Sequence, residues 1–406
     1  MPTTDTRQVG DGGVDDHNEA GPDEIEWLDL APTPQRPPRR SRPWLRYALL
    51  ALAVVAGVVA VRAGHRPGPV VAPLPVVGAS TPVPPPADVA QPPVAVTDLG
   101  YPLLTAPDGL ELTGLGPEVL VRIQLALGEI TTTAIPPLAS DGPVSLLAGP
   151  DQVIVRPVDQ VRGYLVPDGR PATTLPPVFG PSGPALPGPD PDHLWVATGS
   201  GAQAAMALVS FEGIATAGAS IPLPPDAGLP SADGAGYLVY TAIGGVYDAR
   251  PGDVQRITTG TLLAAGPTRW LTVECDDHHV CETTVIDRAT GAGHTIPVPS
   301  AGYLPGGVIS PDGRIAALIQ VDAAGAGVLH LLDLVTGTDQ TTGVSVDAAA
   351  ATAAGTLAWF PDSARLLVAD AARRLRVVEA ATGHAADFGI PIPPLTQLML
   401  HTAPAP

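Results

Sequence analysis

A repeat of about forty residues is the feature of this sequence that most constrains its fold. In most copies, a small residue, proline and an acidic or polar residue precede a short apolar strand. The copies centre on Pro117, Pro150, Pro191, Ala232, Pro267, Pro311 and Pro361, at spacings of 33, 41, 41, 35, 44 and 50 residues. A second strand usually follows and ends in a turn, as in TVIDRATG, LHLLDLVTG and LRVVEAATG, where glycine supplies the positive φ. Such a period is typical of stacked β-units.

Seven units of several short strands predict an all-β domain. The chain holds 45 glycines and 50 prolines in 406 residues, a density of backbone breakers that argues against long helices. One small sheet cannot bury both of its faces alone, so the units must stack on their neighbours in a closed ring. The sequence therefore predicts a seven-bladed β-propeller over residues 99–406.

The repeat also resembles a known family. The stretch ISPDGRIAALI…LHLLDLVTG, from Ser310 to Gly337, is similar to the repeat of WD-repeat-like and TolB-like β-propellers, and Phe360 to Gly383 follows it less closely. In that family Ser-Pro-Asp-Gly forms the turn between the first and second strands, and Asp-x-x-Thr-Gly ends the third. The Trp-Asp pair of eukaryotic WD repeats is absent. The whole chain resembles single-pass membrane proteins of actinobacteria; the resemblance implies fold and topology but no single activity.

An acidic and then arginine-rich tail is predicted to be disordered and cytoplasmic over residues 1–43. Its first 35 residues hold nine acidic side chains and one arginine. An apolar cluster interrupts the acidic stretch and consists of Ile25, Trp27, Leu28 and Leu30. This cluster is either a short motif that binds a cytoplasmic partner or a set of sporadic apolar residues in a solvated tail.

One transmembrane helix is predicted over residues 44–63. Fifteen uncharged, mostly apolar residues run from Tyr47 to Val61, about 22 Å of helix against roughly 30 Å of bilayer core, and their neighbours extend the span. Five arginines precede the span and only Arg62 and Arg66 follow closely. The positive-inside rule then places the N-terminus in the cytoplasm and the rest of the chain outside. The alternative is a cleaved signal peptide, for which the charged leader is long.

A proline-rich extracytoplasmic linker follows over residues 64–98. It holds ten prolines in 35 positions, which favours polyproline II and a semi-rigid spacer. The linker would lift the propeller away from the membrane.

Cys275 and Cys281 are the only cysteines and enclose the sequence Asp-Asp-His-His. We predict that this sequence is a hairpin loop and that the cysteines face each other across the two strands, within disulfide range. Disulfides persist outside the cytoplasm, and two cysteines supply one bond. A zinc site and free thiols are the alternatives. Consecutive residues of a hairpin tip point in different directions, and Cys-x5-Cys is not a recognised zinc spacing.

Two classes of function remain, a binding module and an enzyme. The net charge of −19 argues against nucleic-acid binding. No nucleophile elbow, phosphate loop or His-Glu-x-x-His helix is present, so we assign no catalytic, metal or cofactor residue. The histidines of the predicted propeller are scattered along the chain, and only a ring could gather them at its axis. We favour an envelope protein or cell-wall glycan as the partner of an anchored scaffold or sensor; the alternative is an envelope lyase, lactonase or glycosidase.

Overall fold

The computed structural model describes residues 94–138, 142–160, 162–180, 183–278, 280–298, 302–322, 325–348 and 355–402. The predicted tail, the predicted transmembrane helix and the linker up to residue 93 lie outside these ranges. Within them, no helix has the length and apolar character needed to cross a membrane.

Short strands dominate the described residues, joined at two places by single 3-10 turns, Pro177–Phe179 and Gly201–Gln203. The strands form antiparallel arrays, which are numbered here along the chain. Array one contains β1 (Val94–Asp98), β2 (Leu110–Leu115), β3 (Val119–Gln124), β4 (Glu129–Ala134) and β29 (Gln397–Thr402). Array two contains β5 (Val144–Ala148), β6 (Gln152–Pro157), β7 (Tyr164–Pro167) and β8 (Thr173–Thr174). Array three contains β9 (Ala185–Pro187), β10 (His193–Thr198), β11 (Ala205–Ser210) and β12 (Ala215–Pro222).

The remaining arrays follow the same up-and-down order. Array four contains β13 (Ser231–Ala232), β14 (Leu238–Ala242), β15 (Gly245–Arg250) and β16 (Asp253–Thr258). Array five contains β17 (Thr261–Ala265), β18 (Arg269–Cys275), β19 (Cys281–Asp287) and β20 (Gly293–Ile296). Array six contains β21 (Gly307–Ile309), β22 (Ile315–Val321), β23 (Gly327–Asp333) and β24 (Asp339–Val346). Array seven contains β25 (Leu357–Trp359), β26 (Arg365–Ala369), β27 (Leu375–Glu379) and β28 (Ala385–Asp387).

The first strands of neighbouring arrays contact one another and give the domain a propeller arrangement. Contacts join β5 to β9, β9 to β13, β17 to β21, β21 to β25, β25 to β29 and β29 to β5. Two parallel pairs, Ala264 with Gly307 and Ala265 with Val308, merge arrays five and six into one eight-stranded sheet. The predicted all-β class is therefore confirmed.

The turn chemistry predicted from the repeat is present in array six. Ser310 Oγ donates to Asp312 Oδ1 (2.6 Å), and that carboxylate oxygen accepts the backbone N–H of Arg314 (3.0 Å). Gly313 has φ +75°, a conformation that costs glycine little. These contacts close the turn between β21 and β22, and Asp333 to Gly337 closes the turn after β23 in the same way.

The last strand of the chain closes the arrangement. Strand β29 pairs with all of β2, from Leu110–Thr402 to Leu115–Gln397. It also reaches both neighbouring arrays, because Gln397 Nε2 donates to Val144 O (2.6 Å) and Leu398 N–H donates to Gly355 O (2.5 Å). Strand β29 therefore occupies the first position of array one. Residues 94–134 supply the other four strands.

Two expectations from the sequence differ from this arrangement. The repeat at Pro117 lies between β2 and β3, the second and third strands of array one, because β29 takes the first place. The sheet also begins before residue 99: Val94–Asp98 form β1, and all five of its residues pair with Glu129–Thr133 of β4. The last five residues of the predicted linker are therefore a strand.

Apolar side chains fill the boundaries between arrays. Six clusters of buried residues lie between arrays seven and one, one and two, two and three, three and four, five and six, and six and seven. Phe360, Phe179 and Trp195 are fully buried examples. Burial of an aromatic side chain of this kind contributes on the order of 2–3 kcal/mol.

Ionic groups occupy the boundary between arrays four and five, where none of the described clusters lies. Arg288 of array five has a side chain 4% exposed and donates to Asp233 Oδ2, while its other terminal nitrogen donates to Gly266 O (3.0 Å). The same guanidinium lies 3.5 Å from Asp248 Oδ1 and 4.7 Å from the ring centroid of Trp270. This boundary therefore depends on a paired charge more than on apolar packing.

Candidate functional site between arrays six and seven

An open groove of about 530 Å³ lies between the turns of arrays six and seven. Three carboxylates, Asp312, Asp333 and Asp362, line it together with one guanidinium, Arg314. We call this surface the turn groove. Its volume is in the range of ligand pockets, and its charge favours a cationic guest.

The turns themselves hold the carboxylates of the turn groove in place. Asp312, Asp333 and Asp362 each accept a hydrogen bond from the backbone N–H two residues further along, at 2.9–3.0 Å. Side chains fixed in this way lose little rotamer freedom when a partner binds.

Two of these carboxyl groups have lowered pKa values. Burial raises the pKa of Asp333, but hydrogen bonds from the backbone N–H groups of Thr336 and Val335 and from Arg314 outweigh it. Burial likewise raises the pKa of Asp362, and hydrogen bonds from Arg365 and from a backbone N–H outweigh it. Both side chains are therefore ionised at neutral pH.

Hydrogen bonds across the boundary fix the walls of the turn groove. The backbone N–H of Asp312 in array six donates to Ser363 Oγ of array seven (3.0 Å). Gln340 Nε2 donates to the carbonyl oxygen of Thr382. The two walls are thus joined at two points.

A second groove of about 540 Å³ runs along the outer strand β24, beside the turn from β26 to β27. Arg374 and Arg376 line it, and we call it the arginine groove. Both side chains donate through Nε to Asp370 Oδ2, at 3.2 and 3.1 Å. Burial raises the pKa of Asp370, but hydrogen bonds from the Arg374 backbone and from Arg376 lower it overall. The carboxylate therefore stays charged between the two guanidinium groups.

The predicted cysteine pair lies at disulfide distance. Cys275 and Cys281 are opposite each other on β18 and β19, with their Cα atoms 3.9 Å and their sulfur atoms 1.93 Å apart. Asp276 Oδ1 accepts the backbone N–H groups of His278 (2.8 Å) and Val280 (2.9 Å), the role of a turn residue. His279 lies outside the described residues. Among the residues that are described, no three candidate ligands are grouped to hold a metal ion.

The histidines of the domain lie in separate environments. Their neighbours are Asp190 for His193, the Leu334 carbonyl for His294, Asp339 for His330, Arg374 and Arg376 in the arginine groove for His384, and Glu111 for His401. Burial lowers the pKa of His401, whose Nε2 lies 3.6 Å from Glu111 Oε1. The ring does not gather these five side chains at one place.

Sequence reasoning missed both grooves. It identified Asp312 as a turn residue and the Asp-x-x-Thr-Gly stretch around Asp333 as a strand ending, and both identifications are correct. The signal for a site was the recurrence of such turns in consecutive repeats, since neighbouring arrays place equivalent turns side by side. The arginines in RRLRV, from Arg373 to Val377, are evident in the sequence, but the sequence does not indicate which residues lie opposite them.

Comparisons with known proteins agree with the fold only. No protein-family model matches the chain, and no curated protein matches it in sequence. TolB from Acinetobacter baumannii is similar in structure at 13% identity and a TM-score of 0.40, over 76% of this chain and 82% of that chain. A protein from Desulfotomaculum acetoxidans is similar at 11% identity and a TM-score of 0.45, over 72% of this chain and 99% of that one. Virginiamycin B lyase from Staphylococcus aureus is similar at 11% identity and a TM-score of 0.39, over 62% of this chain and 85% of that chain. TolB, the family named from the sequence, is thus among the similar structures, and likeness at this level carries no argument about activity.

Proposed function

We propose that this chain is a membrane-anchored, extracytoplasmic, seven-bladed β-propeller that binds an envelope protein through the turn groove. The observation that carries the proposal is the set of three carboxylates, each fixed by its own turn, at one open boundary. Fixed charges on a rigid scaffold suit recognition, because binding then costs little conformational entropy.

The proposed number of seven blades counts the two halves of the eight-stranded sheet as separate blades. Each half has four antiparallel strands in the order of the single arrays, and only two residue pairs join them. With β29 in the first place of array one, first strands of neighbouring arrays contact each other at six of the seven boundaries, and β17 of array five contacts β15 of array four at the seventh.

A protein partner suits the turn groove better than a glycan. The groove is lined by three carboxylates, of which Asp333 pairs with Arg314 and Asp362 with Arg365, so one negative charge remains in excess and favours a guest with positive charge. Lysine and arginine side chains supply such charge, whereas neutral or acidic sugars do not. An exposed basic segment of an envelope protein fits this chemistry.

Neutralising one carboxylate of the turn groove should weaken partner capture. Asp333→Asn removes a charge from the groove, and Asp287→Asn removes a charge from the matching turn of array five, outside the groove. Both aspartates accept backbone N–H groups in the same Asp-x-x-Thr-Gly turn, so the cost to the turn is matched, although Asp333 also pairs with Arg314 (3.2 Å). We expect Asp333→Asn to lower recovery of an envelope partner at least fivefold in affinity capture with the full-length protein, and Asp287→Asn to leave it within twofold. Equal losses in the two variants would contradict a role for the groove.

The location outside the cytoplasm and the disulfide are tested by one thiol assay. The arginine distribution predicts that the domain is exported from the cytoplasm. In an exported domain, Cys275 should be bonded to Cys281, and no free thiol should be found in native or denatured protein. Removing both sulfurs with Cys275→Ala/Cys281→Ala should cost at most about 2 kcal/mol of unfolding free energy, because the enclosed loop is short. Two titratable thiols in freshly isolated protein would contradict both proposals. Co-purified stoichiometric zinc would favour the metal site instead.

The tail cluster at Ile25, Trp27, Leu28 and Leu30 lies outside the described residues and stays a prediction. If it docks a cytoplasmic partner, Trp27→Ala should abolish a crosslink that the wild-type tail makes. An unchanged crosslinking pattern would return these residues to a solvated tail.

A further inference from the structure

The arginine groove is a locally basic place on an acidic protein. The chain carries a net charge of −19, yet three arginines, Arg373, Arg374 and Arg376, occur within four residues. Of the charged side chains that line the groove, Arg374 and Arg376 carry two positive charges against the one negative charge of Asp370, and Asp387 pairs with Arg376 from beyond the lining.

One buried carboxylate positions the two guanidinium groups that line the arginine groove. The side chain of Asp370 is 7% exposed, and its Oδ1 accepts the backbone N–H groups of Ala372 and Arg374 at 2.9 Å. Its Oδ2 accepts Nε of both Arg374 and Arg376. Binding through Nε fixes the direction of each side chain and leaves terminal N–H groups to take a second acceptor.

The two arginines differ in what else holds them. Arg376 is 21% exposed and donates through Nη1 to Asp387 Oδ1 (2.6 Å), so it is clamped from two sides. Arg374 is 60% exposed and pairs with Asp370 alone. The groove therefore presents one rigid guanidinium and one adjustable guanidinium on the same carboxylate.

Neutral polar groups complete the walls. Thr342 and Ser345 of β24 line the groove opposite the arginines, and His384 lines it from the start of β28. The backbone N–H of Ala371 donates to Ser345 O (2.8 Å), which holds the two arrays at this spacing. The Thr342 hydroxyl donates to Leu329 O (2.9 Å), so Ser345 and His384 are the side chains that can donate to a bound acceptor without adding a fixed negative charge.

We propose that the arginine groove binds a carboxylate monoanion. A planar carboxylate accepts two parallel N–H groups from a guanidinium, a geometry that arginine offers and lysine does not. The single excess positive charge matches one negative charge. A phosphate dianion would leave an uncompensated charge beside Asp370 and against the acidic protein as a whole. The carboxylate can belong to a peptide or to a sugar acid.

Titration of the detergent-solubilised full-length protein with three small probes tests this inference. The probes are N-acetyl-alanine for a peptide carboxylate, glucuronate for a sugar acid and inorganic phosphate at pH 8 for a dianion, each titrated by isothermal titration calorimetry at low salt. We expect at least one carboxylate probe to bind more tightly than phosphate and to weaken as salt is raised. Preference between N-acetyl-alanine and glucuronate would assign the source of the carboxylate.

Arginine variants separate the groove from general charge. Arg376→Gln should weaken the preferred carboxylate at least tenfold, and Arg374→Gln about threefold, because Arg374 is the more exposed of the two. Arg314→Gln removes the same charge from the turn groove, where the side chain is 63% exposed, and should change affinity less than twofold. If Arg376→Gln fails to fold, the comparison of carboxylate affinity between Arg374→Gln and Arg314→Gln still tests the proposal. Absence of carboxylate binding, tighter phosphate binding, or equal effects of Arg374→Gln and Arg314→Gln would overturn the proposal.

Discussion

Ending the chain after Thr396 is expected to abolish cooperative unfolding of the domain, because that truncation removes β29. Strand β29 pairs with every residue of β2 and carries Leu398, which is 2% exposed, into the boundary with array seven. Without it, β2 becomes an unpaired edge and arrays seven and two lose their common neighbour. Thermal unfolding followed by circular dichroism should lose its single sharp transition, and the protein should aggregate.

A chain ending after Thr402 is the matched control for this truncation. It retains β29 and should unfold at the temperature of the full-length protein. Equal unfolding midpoints for the two shortened chains would show that β29 does not close the ring.

Arg288→Met is expected to cost about 3–5 kcal/mol of unfolding free energy at pH 8, the usual penalty when one partner of a buried ion pair is removed. Asp233 and Asp248 are 0% and 4% exposed and would both remain buried without their cation. The loss falls at the boundary between arrays four and five, where none of the described apolar clusters compensates. Chemical denaturation measures it; a loss below 1 kcal/mol would show that the ionic cluster does not hold this boundary.

The pH dependence of the same cluster follows from Asp248. Burial raises its pKa to about 6; Arg288 opposes the shift, Asp233 adds to it, and Arg250 opposes it. Because the folded pKa lies above the unfolded value of about 3.9, the folded state binds the extra proton. This contribution to stability is fully present below pH 3.9 and is lost as pH rises through 6. Asp248→Asn should therefore gain stability over the wild type between pH 5 and pH 7.5, by at most about 3 kcal/mol. A constant difference across that range would contradict the shift.

The turn contacts and the cysteine pair could be predicted from the sequence because their partners lie close together in the chain. Ser310, Asp312 and Gly313 are close neighbours in the chain, and the hydrogen bonds that close their turn span five residues or fewer. Cys275 and Cys281 likewise face each other across one hairpin. Turn residues and alternating strands were enough to recognise an all-β repeat and its stacking.

Contacts between distant segments could not be predicted in the same way. Gln397 reaches Val144 across 253 residues, and nothing near either residue indicates the other. The sequence consequently predicts that the repeat at Pro117 begins a unit, whereas β29 supplies the first strand of that array. Arg288 and Asp233 both lie in turns 55 residues apart and are joined only when arrays four and five stack. Both grooves have the same origin, since each is made of segments from two arrays.

A photo-crosslinking residue in the turn groove tests the proposed function most directly. It is placed at Thr336, which lines the groove, and in a separate full-length chain at Thr290, the equivalent threonine of array five. Both chains are expressed in intact cells and irradiated, and the crosslinked products are identified by mass spectrometry. We expect a discrete envelope protein to be crosslinked through a basic segment at Thr336, and we expect no such product at Thr290. The same products at both positions, or none at Thr336, would contradict it.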